Sequence, residues 1–229
     1  MMPRKLILSL AFAGLLLTAC AVPATQTPAV TPTTTVPATA TEPAASGDDI
    51  RIYSIIPDQT KALYSVGEVF LNQNNQFNLA VGATHVVSGD IRLNFTHPEQ
   101  STVSPITVDI STLKSDSRRR DDAIRRDWLE SSKFPIVTFA PTEIKGLPGD
   151  YKDSDEIAFE IVGDLTIRDT TRSTTFNVKA TLKDEKLTGT ATTTILMSDF
   201  NFDAPDIAGI LKAENEAKLE LKFVALPTS

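Results

Sequence analysis

From Glu156 to Arg168 apolar and polar side chains take turns: Ile157, Phe159, Ile161, Gly163, Leu165 and Ile167 fall on one face, and Glu160, Asp164, Thr166 and Arg168 on the other. A period of two sustained over that length excludes an amphipathic helix and predicts a strand with one wet face. The pattern recurs at Thr174, Phe176, Val178, Ala180 and Leu182, and again at Ala217, Leu219, Leu221, Phe223 and Ala225. Shorter versions place Ile91, Leu93 and Phe95 on one face and Ile106, Val108 and Ile110 on another. Noisier strands are expected at 51–56, 61–70, 76–81, 136–144 and 186–196. One apolar face per strand suits an antiparallel sheet wrapped around a single interior. Strands well beyond the usual length of about 5–6 residues favour a closed barrel over a sandwich. Short polar connections at Asp169-Thr170-Thr171 and Lys183-Asp184-Glu185 suit an up-and-down meander.

One segment breaks the period. Between Ser117 and about Ser131, Ile124 and Trp128 stand four apart with Leu129 beside them, which predicts one short helix with an apolar stripe. Asp121 with Arg125, and Asp122 with Arg126, place acid before base at the spacing that supports a helix. Pro135 stops it and leaves Phe134 extended.

The N-terminus reads differently. Arg4 and Lys5 precede an apolar run, Leu6–Leu17, interrupted only by Ser9. A basic start and an apolar run of that length predict an export signal rather than a spanning helix. The run ends in Leu17-Thr18-Ala19-Cys20, which resembles the lipobox of bacterial lipoproteins. Residues 1–19 are therefore expected to be a lipoprotein signal peptide, with Cys20, the only cysteine, as the lipidated residue. Residues 20–49 are rich in Ala, Thr and Pro, with prolines at 23, 28, 32, 37 and 43, and bury too little apolar surface to fold. They are expected to be an extended linker. Residues 50–229 have one domain's length. The expected location is the cell envelope, with a lipid anchor on the outer face of the cytoplasmic membrane, or on an outer membrane where one exists.

A formal charge of −7 argues against nucleic acid as a partner. Neither histidine, His85 or His97, has a cysteine near it, so no metal site is expected. No Gly-x-Ser-x-Gly elbow, phosphate loop or His-Glu-x-x-His helix occurs. The expectation is a protein that performs no catalysis. Arg118-Arg119-Arg120, interleaved with Asp121, Asp122 and Asp127, reads as a solvated face. Glu68 leaves two readings open: strict alternation aims it inward with Tyr64, Val66 and Phe70, whereas a bulge at Gly67 would turn it outward.

Three segments together carry a family resemblance: Thr107–Phe139, with Thr112-Leu113, Trp128-Leu129-Glu130-Ser131 and Phe134-Pro135; Val162–Val178, with a Gly-x-Leu-Thr-Ile hairpin; and Met197-Ser198-Asp199-Phe200. The chain resembles the YceI-like family of bacterial polyisoprenoid-binding proteins over most of Tyr53 to Ala225. Two positions depart from that pattern, with Asp169 and Asn201 where the family often has glycine; both residues tolerate left-handed backbone.

The resemblance implies a lipocalin-like antiparallel β-barrel of about eight strands, with the short helix inserted near 117–131. Apolar faces alone favour a packed core over a hollow one, because the interior of an eight-stranded barrel can be filled by side chains. The resemblance implies a hollow one, binding an amphiphilic isoprenoid or fatty-acyl lipid, with no cofactor beyond it. The expected lining is Tyr64, Phe70, Ile91, Leu93, Phe95, Phe159, Ile161, Phe176, Val178, Leu219, Leu221 and Phe223, with Glu68 as a polar handle. Trp128, Phe200 and Phe202 are expected to cover the barrel ends. The alternative is a non-catalytic envelope interaction module with a filled core. Whether the chain pairs as a homodimer stays open.

Overall fold

The computed structural model describes residues 47–150 and 152–228; the expected signal peptide, Cys20 and most of the expected linker lie outside the described residues. Among the described residues, fifteen strand segments join in one antiparallel sheet. They are β1 (Ile50–Ile55), β2 (Lys61–Phe70), β3 (Gln76–Thr84), β4 (Val87–Ser88), β5 (Asp90–Asn94), β6 (Thr102–Val103), β7 (Ile106–Asp109), β8 (Lys114–Ser115) and β9 (Ile136–Lys145), followed by β10 (Glu156–Ile167), β11 (Thr170–Lys183), β12 (Lys186–Leu196), β13 (Asp206–Ile207), β14 (Leu211–Ala213) and β15 (Glu216–Pro227). The wall runs β3-β2-β15-β12-β11-β10-β9-β7-β4. Only His85 and Val86 separate β3 from β4, so the two ends of this band meet and the sheet curls into a lipocalin-like barrel. β1 lengthens the wall by pairing with the end of β15 and with β5.

The long hairpins follow the alternation closely. β10 and β11 pair without a slip from Glu156–Thr181 to Ile167–Thr170. A one-residue shift would turn every apolar side chain to the wrong face, so the buried interior fixes this register. The turns are tighter than the sequence suggests, because Thr170 and Thr171 belong to β11. Between β11 and β12, Asp184 and Glu185 both take positive φ (49° and 59°), the two-residue geometry that matches strand twist. At the β10–β11 turn the left-handed residue is Arg168 (φ 58°), not Asp169. Asn201 does take the left-handed conformation expected of it, at φ 59° and ψ 35°.

The helix is shorter than the apolar stripe implied. α1 (Arg118–Ala123) is capped by the Ser117 hydroxyl, which accepts from the Arg120 backbone N–H at 3.3 Å, and it widens into a π-turn over Ile124–Trp128. Hydrogen bonding to i+5 rotates later side chains away from the i+4 positions. The expected Asp121–Arg125 and Asp122–Arg126 pairs give way to Asp122–Arg125 at 2.9 Å and Arg126–Asp127 at 2.7 Å. Asp121 instead turns in and accepts from the backbone N–H and hydroxyl of Ser115, at 2.9 and 2.6 Å.

Buried side chains form two clusters rather than one. The first joins Val66, Leu165, Ile167, Ile195, Met197, Phe200, Ala213 and Ala217. The second joins Tyr53, Ile161, Val178, Ala180, Leu187, Phe223 and Ala225.

Candidate ligand cavity

Residues of both clusters face a common cavity of about 460 Å³, within the roughly 300–1,000 Å³ typical of small-molecule sites. Its walls are the inward faces that the alternation predicts. Phe159, Phe176, Leu219 and Leu221 point inward yet remain only partly buried, because the surface they keep faces the hollow. Phe139 meets Phe176 edge to face, with ring centroids 4.7 Å apart, and this pair stiffens the wall where β9 and β11 approach.

The structure brings together most of the residues expected at the site. Tyr64, Glu68, Phe70, Ile91, Leu93, Phe159, Ile161, Phe176, Val178, Leu219, Leu221 and Phe223 all line the cavity, as do Trp128 and Phe202. Two do not. Phe95 lies just beyond the end of β5 with the Arg51 guanidinium 4.7 Å above its ring, because the chain bends there and alternation no longer governs direction. Phe200 is only 2% exposed and belongs to the first cluster, as packing beneath the turn rather than lining or cover. The left-handed Asn201 that follows is tied to the neighbouring hairpin by its amide, which donates to the Thr170 hydroxyl at 2.9 Å.

Glu68 resolves to the inward reading. β2 pairs with β3 without interruption from Ala62–Thr84 to Phe70–Gln76, so no bulge intervenes in that ladder. The side chain is 5% exposed, and its Oε1 accepts from Arg120 at 2.5 Å and from the Asn78 amide at 2.7 Å. Gly67 serves another purpose: a Cβ there would collide with the Glu214 carboxylate lying over the outer face.

The arginine run divides, which corrects its reading as one solvated face. Arg118 is 95% exposed and fits that reading, whereas the Arg120 side chain is 15% exposed and reaches inward to Glu68 while also pairing with Asp116. Arg119 stands at the cavity rim and pairs with no carboxylate among the described residues. Contiguity in sequence hid this, because successive helical residues point about 100° apart.

Tyr64 lies beside the Glu68–Arg120 pair. Its ring crosses the inner face of Gly82, the residue opposite it on β3, where any Cβ would displace it. The hydroxyl is buried without a hydrogen-bond partner. Burial pushes the phenol up to about 12, partly offset by the Arg120 guanidinium.

Arg168 is a residue that the alternation places on the wet face and the structure turns inward. It donates to Glu130 Oε2 at 2.7 Å and to the Trp128 carbonyl at 3.3 Å, pinning the β10–β11 turn to the end of the helical segment. Its position directly at a two-residue turn was the one available signal, since turn residues escape the strand's alternation.

The YceI-like domain model matches residues 53–225. No curated protein sequence matches the chain. Among solved structures, BcnA from Burkholderia cenocepacia is 18% identical with a TM-score of 0.57, over 74% of this chain and 98% of that one. A polyisoprenoid-binding domain from Saccharophagus degradans is 9% identical with a TM-score of 0.56, over 77% and 98%. The YceI protein of Campylobacter jejuni is 15% identical with a TM-score of 0.52, over 65% and 84%. At such identities these structures establish the shared fold, and the match to the domain model establishes descent: the chain belongs to the YceI-like domain family.

Proposed function

We propose that this protein binds one amphiphilic lipid, a polyisoprenoid, in its barrel and sequesters or carries it at the cell envelope without chemical conversion. The observation that carries this reading is the hollow itself, about 460 Å³ with apolar walls. Moving an isoprenoid chain from water into it contributes about 0.8 kcal/mol per methylene-sized group, so a long tail needs few polar contacts. Family membership and the structural likeness to the polyisoprenoid-binding domain of Saccharophagus degradans support the same ligand class. Native mass spectrometry of the purified protein tests it: a co-purifying or exchangeable prenyl lipid supports the carrier. A bare protein that takes up no lipid would instead favour a filled interaction module.

The proposed anchor is Cys20, at the end of the apolar leader and before the linker. Two or three acyl chains on one residue hold a protein stably at a bilayer, where a single chain does not. Cys20→Ser should move the protein from the membrane to the soluble fraction. Retention of the variant on the membrane would refute the anchor and leave the carrier untouched.

A further inference from the structure

Apolar side chains that the barrel leaves in solvent gather at one end of it. Leu71, Phe77, Ile207 and Ile210 are between 39% and 59% exposed, and backbone pairing brings them together. β2 ends at Phe70, which lies between Gln76 of β3 and Leu211 of β14. The Leu71 backbone N–H donates to the Ile210 carbonyl at 2.8 Å, and Ile207 faces Leu211 across the β13–β14 hairpin. On β3 the usual arrangement is reversed. Phe77, Leu79 and Val81 point outward and stay exposed, while Asn78, Ala80 and Gly82 take the inner face beside Glu68, Val66 and Tyr64. This end is also a mouth of the cavity: Phe70, Ile210 and Leu211 line it, and Ile210 meets solvent as well. Arg119 likewise lines the cavity and is exposed.

The apolar part of this rim carries no charge. No Asp, Glu, Lys or Arg occurs from Val69 to Gly89, or from Ile207 to Leu211, in a chain that is 22% charged. Such a surface gives up no hydrated charge on leaving water, which is the main cost of entering a lipid interface. Flanking charges nearly cancel. On the helical segment Arg118 stands 3.9 Å from Asp122 and Arg126 2.7 Å from Asp127, while Asp116 pairs with Arg120. On the hairpin Asp206 faces Lys212. Arg119 and Lys114 remain, a small pull toward anionic lipid at most. A second copy of the chain would cover the same apolar residues but would also stop the mouth. A bilayer covers them and opens the mouth onto the phase in which a long-chain lipid is dissolved. The expected linker reaches about 80 Å at about 3.1 Å per residue, so it lets either end of the barrel turn toward the membrane that holds Cys20.

We infer that this uncharged rim docks shallowly into a lipid bilayer, with Leu71, Phe77, Ile207 and Ile210 in the interface and the cavity mouth facing the membrane. Large exposed apolar patches mark contact surfaces, and here the contact is the bilayer itself. The inference rests on the carrier reading for its purpose, yet docking is measured without any bound ligand, so the two fail separately.

The test places a tryptophan at each end of the purified full chain. Phe77→Trp reports on the rim, and Leu226→Trp on the far end, since β15 runs away from the Phe70 end of β2 toward Leu226. Both are mixed with dioleoyl phosphatidylcholine vesicles containing dibrominated phosphatidylcholine, and the quenching of Trp128, the only native tryptophan, is subtracted. The two variants share whatever holds the N-terminus, so their difference reports which end meets the lipid. Phe77→Trp should be quenched about threefold more than Leu226→Trp, with a blue-shifted emission. A second variant carries Leu71→Asp and Ile207→Asp, two exposed positions outside the cavity lining. It should take up geranylgeraniol from vesicles about tenfold more slowly, yet bind the same alcohol as before when it is delivered from detergent micelles. Near-ultraviolet dichroism checks that each variant is folded. Equal quenching at the two ends overturns the inference, as does unchanged transfer by the double variant. Shielding of Phe77→Trp from aqueous iodide together with a doubled mass in solution would mean that a second copy covers the rim, and also overturns it. Rim quenching in a protein that takes up no lipid by either route would uphold the docking surface and remove the carrier.

Discussion

At the scale of single residues, the polar end of the cavity is where burial and charge conflict, and the Glu68–Arg120 pair resolves them. Its two members are not equivalent. Glu68→Gln removes one charge but keeps an amide that can still meet Asn78, and Arg120 retains Asp116; a loss of about 1–2 kcal/mol is expected. Arg120→Leu leaves a carboxylate that is 5% exposed with Asn78 as its remaining partner, which should cost about 3–5 kcal/mol. Urea denaturation of both variants checks the order, and equal losses would mean that Glu68 draws its stability from elsewhere. Tyr64 supplies a second handle. Its folded-state pKa, about 12, stands above the usual 10, so the folded protein holds a proton that the unfolded chain has begun to release. The stability this group contributes is complete below about pH 10 and is lost as pH rises toward about 12, by about 2 kcal/mol. Denaturation midpoints near both pH values should therefore fall further in the native protein than in Tyr64→Phe. Identical falls would show that the phenol is well solvated.

Among the elements, the hairpins from β10 to β12 were the most legible, because a strand half buried over its whole length must alternate. The inward faces of β10, β11 and β15 follow the expected residues one for one, from Ile157 to Ile167, Phe176 to Leu182 and Ala217 to Ala225. What stayed hidden were departures from regularity. The helix shortened because a π-turn has no strong sequence signature, and Phe95 left the lining because its strand ended one residue earlier. A further irregularity sits between β9 and β10. Their register slips between Val162 and Gly163, where Thr142 is left out of the ladder and its hydroxyl donates to the Val162 carbonyl at 3.2 Å. Gly163 makes this slip sterically possible, since a Cβ there would stand 2.5 Å from the Ala140 carbonyl oxygen. Backbone cannot yield as a flexible side chain can. Gly163→Ala should cost about 1–3 kcal/mol, whereas Asn201→Gly should cost under about 1 kcal/mol, because glycine accepts the left-handed backbone and only the bond to Thr170 is lost. Thermal unfolding of the two variants separates them, and a neutral Gly163→Ala would mean that the two strands can slide apart locally.

For the molecule as a whole, the decisive property is one that alternation cannot carry. Whether inward side chains interlock or stand apart depends on the circumference of the barrel and the sizes of residues facing one another across it, which are contacts between distant segments. Ala62, Ala180, Ala191 and Ala217 are all on the cavity wall, and small side chains there leave space that larger ones would fill. Ala191 is the most informative of them. It lies mid-wall, opposite Val178 on β11 and Leu221 on β15, and is only partly buried because it faces the hollow. In a close-packed core, Ala191→Trp would overpack and cost about 1–3 kcal/mol or more. Into a hollow, the same indole extends without displacing its neighbours and covers apolar surface that water or ligand would otherwise meet. The expected result is therefore a split: a denaturation midpoint at or above that of the unsubstituted protein, together with at least a tenfold loss of prenyl-lipid affinity by Trp128-independent competition or native mass spectrometry. Lipid added at about 100 times its Kd should stabilise the unsubstituted protein by about 2.7 kcal/mol, and this increment should vanish in Ala191→Trp. A variant that is destabilised yet still takes up lipid would place the bound chain somewhere other than this cavity.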